Sequence, residues 1–313
     1  MNLFDFQWPK HFGDEFKVTL NHPLYISDNI FAAKEHGKRV LLEMVDLHPK
    51  LTLAYSGGMD SLIIDHLLKP DVLLNISMNS AYDTRERETM DSLIHSTMET
   101  SEQSYKETVF LDDEIDLGRY ERDDAIIPNR NAHLVLLASH YGETIWLGSV
   151  HGDRSFDKDE EFYKHMETLL NHMWQEQHWT EERKFEISSP FKDRTKTDLV
   201  SIYLHEGGTK ENLLQSYSCY EGREKHCGHC KACFRKWVAL ENNGITTGIE
   251  YWEKVPWEAP WLDEVLIQIF NGGYRGKEDR DIIYALDKTP KHTLLDHYQT
   301  AANHAARFEE FKL

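Results

Sequence analysis

Apolar residues follow two rhythms along this chain. Leu51-Thr-Leu-Ala-Tyr55 is a short apolar run that breaks at Ser56-Gly57-Gly58 and resumes as Leu62, Ile63, Ile64, Leu67 and Leu68, spaced for one buried side of a helix. The pattern predicts a buried strand that enters a helix through a Gly-Gly turn. Further strand-like runs lie at Asp71 to Met78, Glu107 to Leu111 and Glu143 to Ser149, and a helical pattern covers Ala132 to His140. A helical stripe also runs from Ile30 to Leu47, through Val40, Leu41, Met44, Val45 and Leu47. Strands alternating with helices predict an α/β fold, a parallel Rossmann-like sheet with helices on both faces. Beyond Asn242 the texture changes. Trp252, Trp257 and Trp261 are interspersed with Pro256 and Pro260, which predicts an irregular packed segment followed by closing helices.

The 313 residues, 40% of them hydrophobic, allow one sizeable core with an appended subdomain, or two small domains. Asp and Glu number 54 against 35 Lys and Arg, a formal net charge of -19. A surface of that sign repels nucleic acid, which calls for a basic face. Met1 to Lys10 lacks the basic, apolar, small-residue order of a signal peptide, and no apolar run approaches the ~20 residues that cross a bilayer. The expectation is a soluble, cytoplasmic protein without a membrane partner.

Candidate chemistry starts at Ser56-Gly57-Gly58-Met59-Asp60-Ser61. At a strand-to-helix junction, free backbone N–H groups and the positive helix end favour an anion. Gly57 and Gly58 permit close backbone approach, Ser56 and Ser61 add hydroxyls, and Asp60, which disfavours bare phosphate, suits a magnesium bridge. The plainer alternative is a Gly-Gly turn capped by Asp60 and Ser61. The apolar strand before it and the apolar helix after it favour the phosphate loop. No Gly-Lys-Ser/Thr follows, so it is not a Walker loop.

All four cysteines, Cys219, Cys227, Cys230 and Cys233, fall in one short C-x7-C-x2-C-x2-C stretch. Four thiolates so spaced close a tetrahedral zinc shell, with Gly228 supplying a tight turn. The interleaved His226 and His229 are alternative ligands, and an iron–sulfur cluster is the other metal reading. With four protein ligands the site is closed, which makes it a staple of the fold and not a reaction centre.

The phosphate loop resembles the SGGxDS signature of PP-loop ATP pyrophosphatases, which split ATP into AMP and pyrophosphate. Ser216-Tyr-Ser-Cys-Tyr-Glu-Gly222 with Cys227-Gly-His-Cys-Lys-Ala-Cys233 resembles the W-S-C-Y-x-G and C-G-x-C-x-x-C block of QueC-type 7-cyano-7-deazaguanine synthases. Pro128-Asn-Arg-Asn131 is similar to that family's P-x-R-N segment. Asp153 to Phe162 is similar to its Asp-containing loop, and Ser189 to Lys196 to its lysine-bearing segment before a helix. Two stretches depart from the pattern. Tyr82-Asp-Thr-Arg-Glu86 stands where the family has Y-G-Q-R-H, and Lys236, beside Arg235, stands where it has Arg.

The resemblance implies an activity: conversion of 7-carboxy-7-deazaguanine to its nitrile, preQ0, with ATP, magnesium and ammonia, by way of an acyl-adenylate. It implies ATP contacts from Ser56, Gly57, Gly58, Asp60 and Ser61, substrate contacts from Arg130, Asn131 and Asp153, and a phosphate-neutralising Lys196. Asp60 and Lys196 are the expected catalytic pair; for Asp153, a loop cap is the equal alternative. It divides the chain into an N-terminal extension (1–48), a PP-loop ATP pyrophosphatase domain (49–215), a zinc segment (216–240) and a helical C-terminal extension (241–313). Position 2 is Asn2 and every cysteine is taken by the metal site, so no cysteine-dependent glutaminase is expected. Ammonia would arrive free, or an amine would come on another molecule. The extensions leave room for a protein acceptor or a homodimer contact, with the product then an amide or a conjugate. A tRNA-modifying PP-loop enzyme is a further alternative, which the negative charge and the absence of a spare cysteine disfavour.

Overall fold

The computed structural model describes residues 50–100, with backbone only from 95, residues 108–293 apart from 272, and residues 295 and 298. The extension expected over 1–48, with its helical stripe from Ile30 to Leu47, lies outside the described residues, as does Glu107 at the head of one expected strand.

Five strands form one sheet: β1 (Leu51–Ala54), β2 (Val72–Ser77), β3 (Val109–Glu114), β4 (Thr144–Trp146) and β5 (Glu186–Ser188). Their order is β3-β2-β1-β4-β5, and each neighbouring pair is parallel. Central parallel strands are covered on both faces, so they read as unbroken apolar runs. In β2, Val72 to Ile76 are all buried. The polar member of that run, Asn75, donates its Nδ2 to the Tyr55 carbonyl at 3.0 Å. That bond ties the end of β1 to β2 and satisfies a buried amide.

The connections are helical. α1 (Met59–Leu68) leaves β1, α2 (Asp83–Thr100) joins β2 to β3, and α3 (Arg130–Ala138) leads into β4. α4 (Glu160–Met173) joins β4 to β5, and α5 (Lys196–His205) with α6 (Lys210–Gln215) follows β5. The fourth strand is shorter than its apolar run. After Trp146 only the Leu147 N–H still reaches a β5 carbonyl, Ser188 O at 3.0 Å, and the chain then opens into a loop. Strand order reverses between β1 and β4. In open α/β sheets a crevice forms at that point, beyond the carboxyl ends of the strands.

A second core gathers the cysteine segment and the tail. α7 (Lys231–Asn242) presents Phe234, Trp237 and Val238 to Trp252, Leu262, Leu266, Ile282 and Leu286. Its last turn, Ala239 and Leu240, packs on Leu199, Val200 and Tyr203 of α5. α8 (Leu262–Phe270) and α9 (Lys277–Asp287) follow in the tail. The expected irregular Trp/Pro stretch is irregular, with a single 3-10 turn at Pro256–Glu258, yet Trp252 is fully buried and its Nε1 donates to Thr247 Oγ1 at 2.8 Å. Truncating Trp237, also fully buried, to Ala is expected to cost roughly 3–5 kcal/mol. Among the described residues no helix is long and apolar enough to cross a membrane.

Candidate active site

The loop between β1 and α1 sits at the reversal point of the sheet. Gly57 has φ +69°, a left-handed conformation, and a Cβ there would come 3.1 Å from Met90 N and 3.2 Å from Glu86 O. The loop therefore packs backbone to backbone against α2. Gly58 is the N-cap of α1 and offers no side chain to the first-turn N–H groups, which have no intrahelical partner. Ser56 Oγ accepts from Gly58 N at 3.3 Å, and Ser61 Oγ donates to Gly58 O at 3.1 Å. Both hydroxyls thus brace the loop. From the other side Tyr217 N donates to Gly57 O at 3.1 Å, which links the loop to the cysteine segment.

Lys196 opens α5, behind a capping box in which Thr195 and Asp198 satisfy each other's backbone N–H. This cap fixes the direction of the lysine, whose Nζ forms an ion pair with Asp60 Oδ2. Asp60 Oδ1 is buried with no hydrogen-bond partner among the described residues. A carboxylate oxygen left over in this way fits a hard cation such as magnesium.

Asp153 lines the same cleft, on the loop after β4. One oxygen accepts from Val150 N at 3.3 Å and faces Lys158 Nζ at 3.5 Å; the other takes Arg235 Nη1 at 2.6 Å. Burial opposes its charge, but Lys158, Arg235 and Lys196 outweigh that and hold the carboxyl well below the usual range. It caps the loop and faces the cleft at once.

Across the cleft lie Arg130 and Asn131, the first residues of α3, with Asn131 buried. Arg130 Nη1 donates to Tyr82 Oη at 2.8 Å, and Tyr220 lies 6.1 Å from Tyr82 between ring centroids. Glu86 is beside them, its acidity altered by burial, which pushes it up to about 8 against the pull of Arg130 and with the help of Asp83. Lys236 also lines the cleft although it is fully buried. Its Nζ donates to Ser216 O, and to Ser216 Oγ at 3.0 Å. Burial pushes it down to about 7, against the pull of Cys233 and with the help of Lys196.

The four cysteine sulfurs converge within 4.8 Å of one another. Cys227 and Cys233 Sγ are 3.9 Å apart, close to the edge of about 3.8 Å that a tetrahedron of 2.3 Å Zn–S bonds requires. Backbone N–H groups point at the sulfurs: Cys227 N at Cys219, Cys230 N at Cys227 and Cys233 N at Cys230, at 3.4, 3.3 and 3.4 Å. Such donors stabilise thiolate charge, and the set fits a closed zinc knuckle. Gly228, at φ +77°, has the Lys254 carbonyl 1.6 Å from where a Cβ would stand, so only glycine fits the turn. His226 is committed elsewhere. Its Nε2 accepts from Ser218 N at 3.4 Å, its ring stacks on Tyr251, and burial holds it neutral with its pKa at about 3. His229 Nε2 pairs with Glu221 at 2.7 Å, near Cys227.

The family described as queuosine biosynthesis protein QueC matches residues 50–244, more than half of the chain. The chain belongs to the QueC family. The QueC match spans β1 to the end of α7 and so takes in the Gly57-Gly58 loop, Lys196 and the four cysteines. A 7-cyano-7-deazaguanine synthase of Marinobacter nauticus is 27% identical over 223 residues, 64% of this chain and 96% of that protein. A synthase of the same name from Pseudoalteromonas translucida is 33% identical over 153 residues, 45% of this chain and 66% of that protein. One from Colwellia psychrerythraea is 27% identical over 224 residues and is 98% covered. Nearly the whole length of two of these relatives is thus accounted for by about two thirds of this chain, and the tail after 244 lies beyond the QueC match.

Sequence reasoning placed Asp60, Lys196, Arg130, Asn131 and Asp153 in one site, and all five line one cleft. It named Glu86 and Lys236 only as departures from the QueC pattern and Arg235 only as a neighbour of one, and it did not single out Lys158 or Tyr217. A lone charged residue in a sequence carries no mark of burial; the signal available was their position beside motif residues.

Proposed function

We propose that this chain is an ATP-dependent carbon–nitrogen ligase that adenylates 7-carboxy-7-deazaguanine and, with ammonia, converts it to 7-cyano-7-deazaguanine with release of AMP and pyrophosphate. The observation that carries this reading is the meeting of Lys196 and Asp60 at the mouth of the Gly57-Gly58 loop, within a QueC-family fold. The backbone N–H groups of the first turn of α1 would hold phosphate oxygens, and Lys196 would neutralise the charge that grows as the bond to pyrophosphate breaks. Asp60 would hold magnesium, which supplies further charge neutralisation at the phosphates. Arg130 at the opposite wall would orient the deazapurine, so that its carboxylate meets the nucleotide within the cleft. Zinc on Cys219, Cys227, Cys230 and Cys233 would fasten the segment whose Tyr217 N–H holds Gly57 in place.

A second reading keeps the adenylate and changes the amine. The tail beyond the QueC match reaches the margin of the cleft, where Arg275 Nη1 donates to Gly152 O and Lys277 N to His151 Nε2 at 3.0 Å. An acceptor that docks on the tail would then take the place of ammonia and leave an amide.

The test is mass spectrometry of a reaction with ATP, magnesium, 7-carboxy-7-deazaguanine and ammonium. Nitrile, AMP and pyrophosphate are the expected products. Amide or a stalled adenylate favours the second reading, and no ATP consumption overturns both.

A further inference from the structure

The first turn of α2 is held rigidly against the cleft. Asp83 accepts from Ser77 Oγ at 2.8 Å, Met78 N at 2.6 Å and Ser80 Oγ at 2.5 Å, which anchors the turn to the end of β2. Three residues on, the Glu86 backbone abuts Gly57 of the loop between β1 and α1. A helix pinned at both points keeps its first turn at the cleft, and Glu86 lines that cleft.

Glu86 differs from the other carboxylates there. Asp60, Asp83 and Asp153 each bind a lysine, an arginine or a hydroxyl and backbone donor. No described residue donates a hydrogen bond to the Glu86 carboxyl; its main compensating influence is the field of Arg130. Arg130 spends one N–H on Tyr82 Oη and retains other donors on the planar guanidinium. The tyrosine rings of Tyr82 and Tyr220 stand beside the pair.

A half-buried carboxyl without donors keeps its proton in the free chain and ionises when a ligand brings donors to it. Two adjacent oxygens call for two adjacent, coplanar N–H donors, and a guanidinium next to them calls for an acceptor. The 2-amino-4-oxo edge of a guanine-type ring presents that order: the 2-amino group and the ring N–H as donors, then the oxo group as acceptor. Adenine lacks the paired donors, so the same arrangement would keep the nucleotide's own base out of this half of the cleft.

We propose that Glu86, with Arg130 beside it, is the specificity-determining pair that reads the 2-amino-4-oxo edge of a guanine-type base. This assignment rests on the deazaguanine reading of the site and adds which wall recognises the base and through which groups. Where the QueC pattern has a histidine, this chain has a carboxylate, Glu86.

The experiment is calorimetric binding to the full chain of 7-carboxy-7-deazaguanine and of its analogue without the 2-amino group, with wild type and Glu86→Gln. Wild type is expected to favour the 2-amino compound roughly 50-fold, in line with a donor bound to a charged acceptor. Glu86→Gln, which faces the ligand with an N–H₂ group in place of one oxygen, is expected to bring the ratio below about threefold. A wild-type ratio near one, failure of wild type to bind either compound, or an unchanged ratio in Glu86→Gln overturns the assignment. Should the variant not fold, the wild-type ratio decides by itself. Pyrophosphate release is scored separately: release without discrimination refutes the Glu86 pair and leaves the ligase, whereas discrimination without release refutes the ligase and leaves the pair.

Discussion

Glu278 of α9 grips Arg235 of α7 with both carboxylate oxygens, at 2.6 and 2.9 Å, and Arg235 in turn holds Asp153 at 2.6 Å. All three side chains are nearly buried, with Glu278 2% exposed. A residue from the tail outside the QueC match thus orients an arginine that borders the cleft. Gly152, in the loop between them, has φ +89°, and a Cβ there would come 2.0 Å from Glu278 Oε2. The tail and the loop after β4 are therefore shaped to each other.

Removing one partner of a buried ion pair leaves its counterpart uncompensated. Glu278→Gln is expected to lower the unfolding free energy by about 3 kcal/mol, read from urea denaturation. It is also expected to raise KM for the substrate that the loop faces, since Asp153 and Lys158 lose their fixed neighbour. An unchanged urea midpoint would mean the tail does not brace the site.

Asp60→Asn keeps the size of the side chain while removing the charge that Lys196 and a cation share. Pyrophosphate release is expected to fall by a factor on the order of 10² to 10³. Lys196→Gln should fall by a similar factor, and the double variant by little more, because the two act as one unit. Additive losses in the double variant would count against a joint role.

Zinc is expected at one ion per chain in the purified protein, measured by elemental analysis. Cys230→Ser is expected to lose the metal and to melt at a lower temperature, since binding energy at a closed site is folding energy. A variant that keeps its melting temperature without metal would refute the staple role. Tyr217 N also holds Gly57, so chelation is expected to slow pyrophosphate release as a secondary effect.

Glu86 supplies a pH dependence of stability. Burial raises its folded pKa to about 8 from an ordinary value of 4.5, with Arg130 opposing the rise and Asp83 adding to it. Between those two values the folded chain holds a proton that the unfolded chain has lost, so this group makes stability fall as pH rises. Glu86→Gln removes that slope. Its melting temperature is expected to gain on wild type from pH 5 to pH 8; a constant difference across that range would show that the carboxyl is not perturbed.

Local features were legible without the fold. A Gly-Gly turn between an apolar strand and an apolar helix specifies its own backbone, and four closely spaced cysteines need only short-range turns to converge. Strand runs were legible wherever burial on both faces made them continuously apolar; β5, which is three residues long and half exposed, left no such run. The α2 helix was equally silent, because its first turn serves the cleft with Asp83 and Glu86, just after Tyr82, and carries no clean apolar stripe. What the tertiary structure alone decided is which charges lose their water. Lys196 meets Asp60 only because α1 and α5 converge where strand order reverses, and Arg235 meets Glu278 only because the tail folds back on α7. A charged residue's role depends on its partner and its burial, and both are set by contacts between segments far apart in the chain.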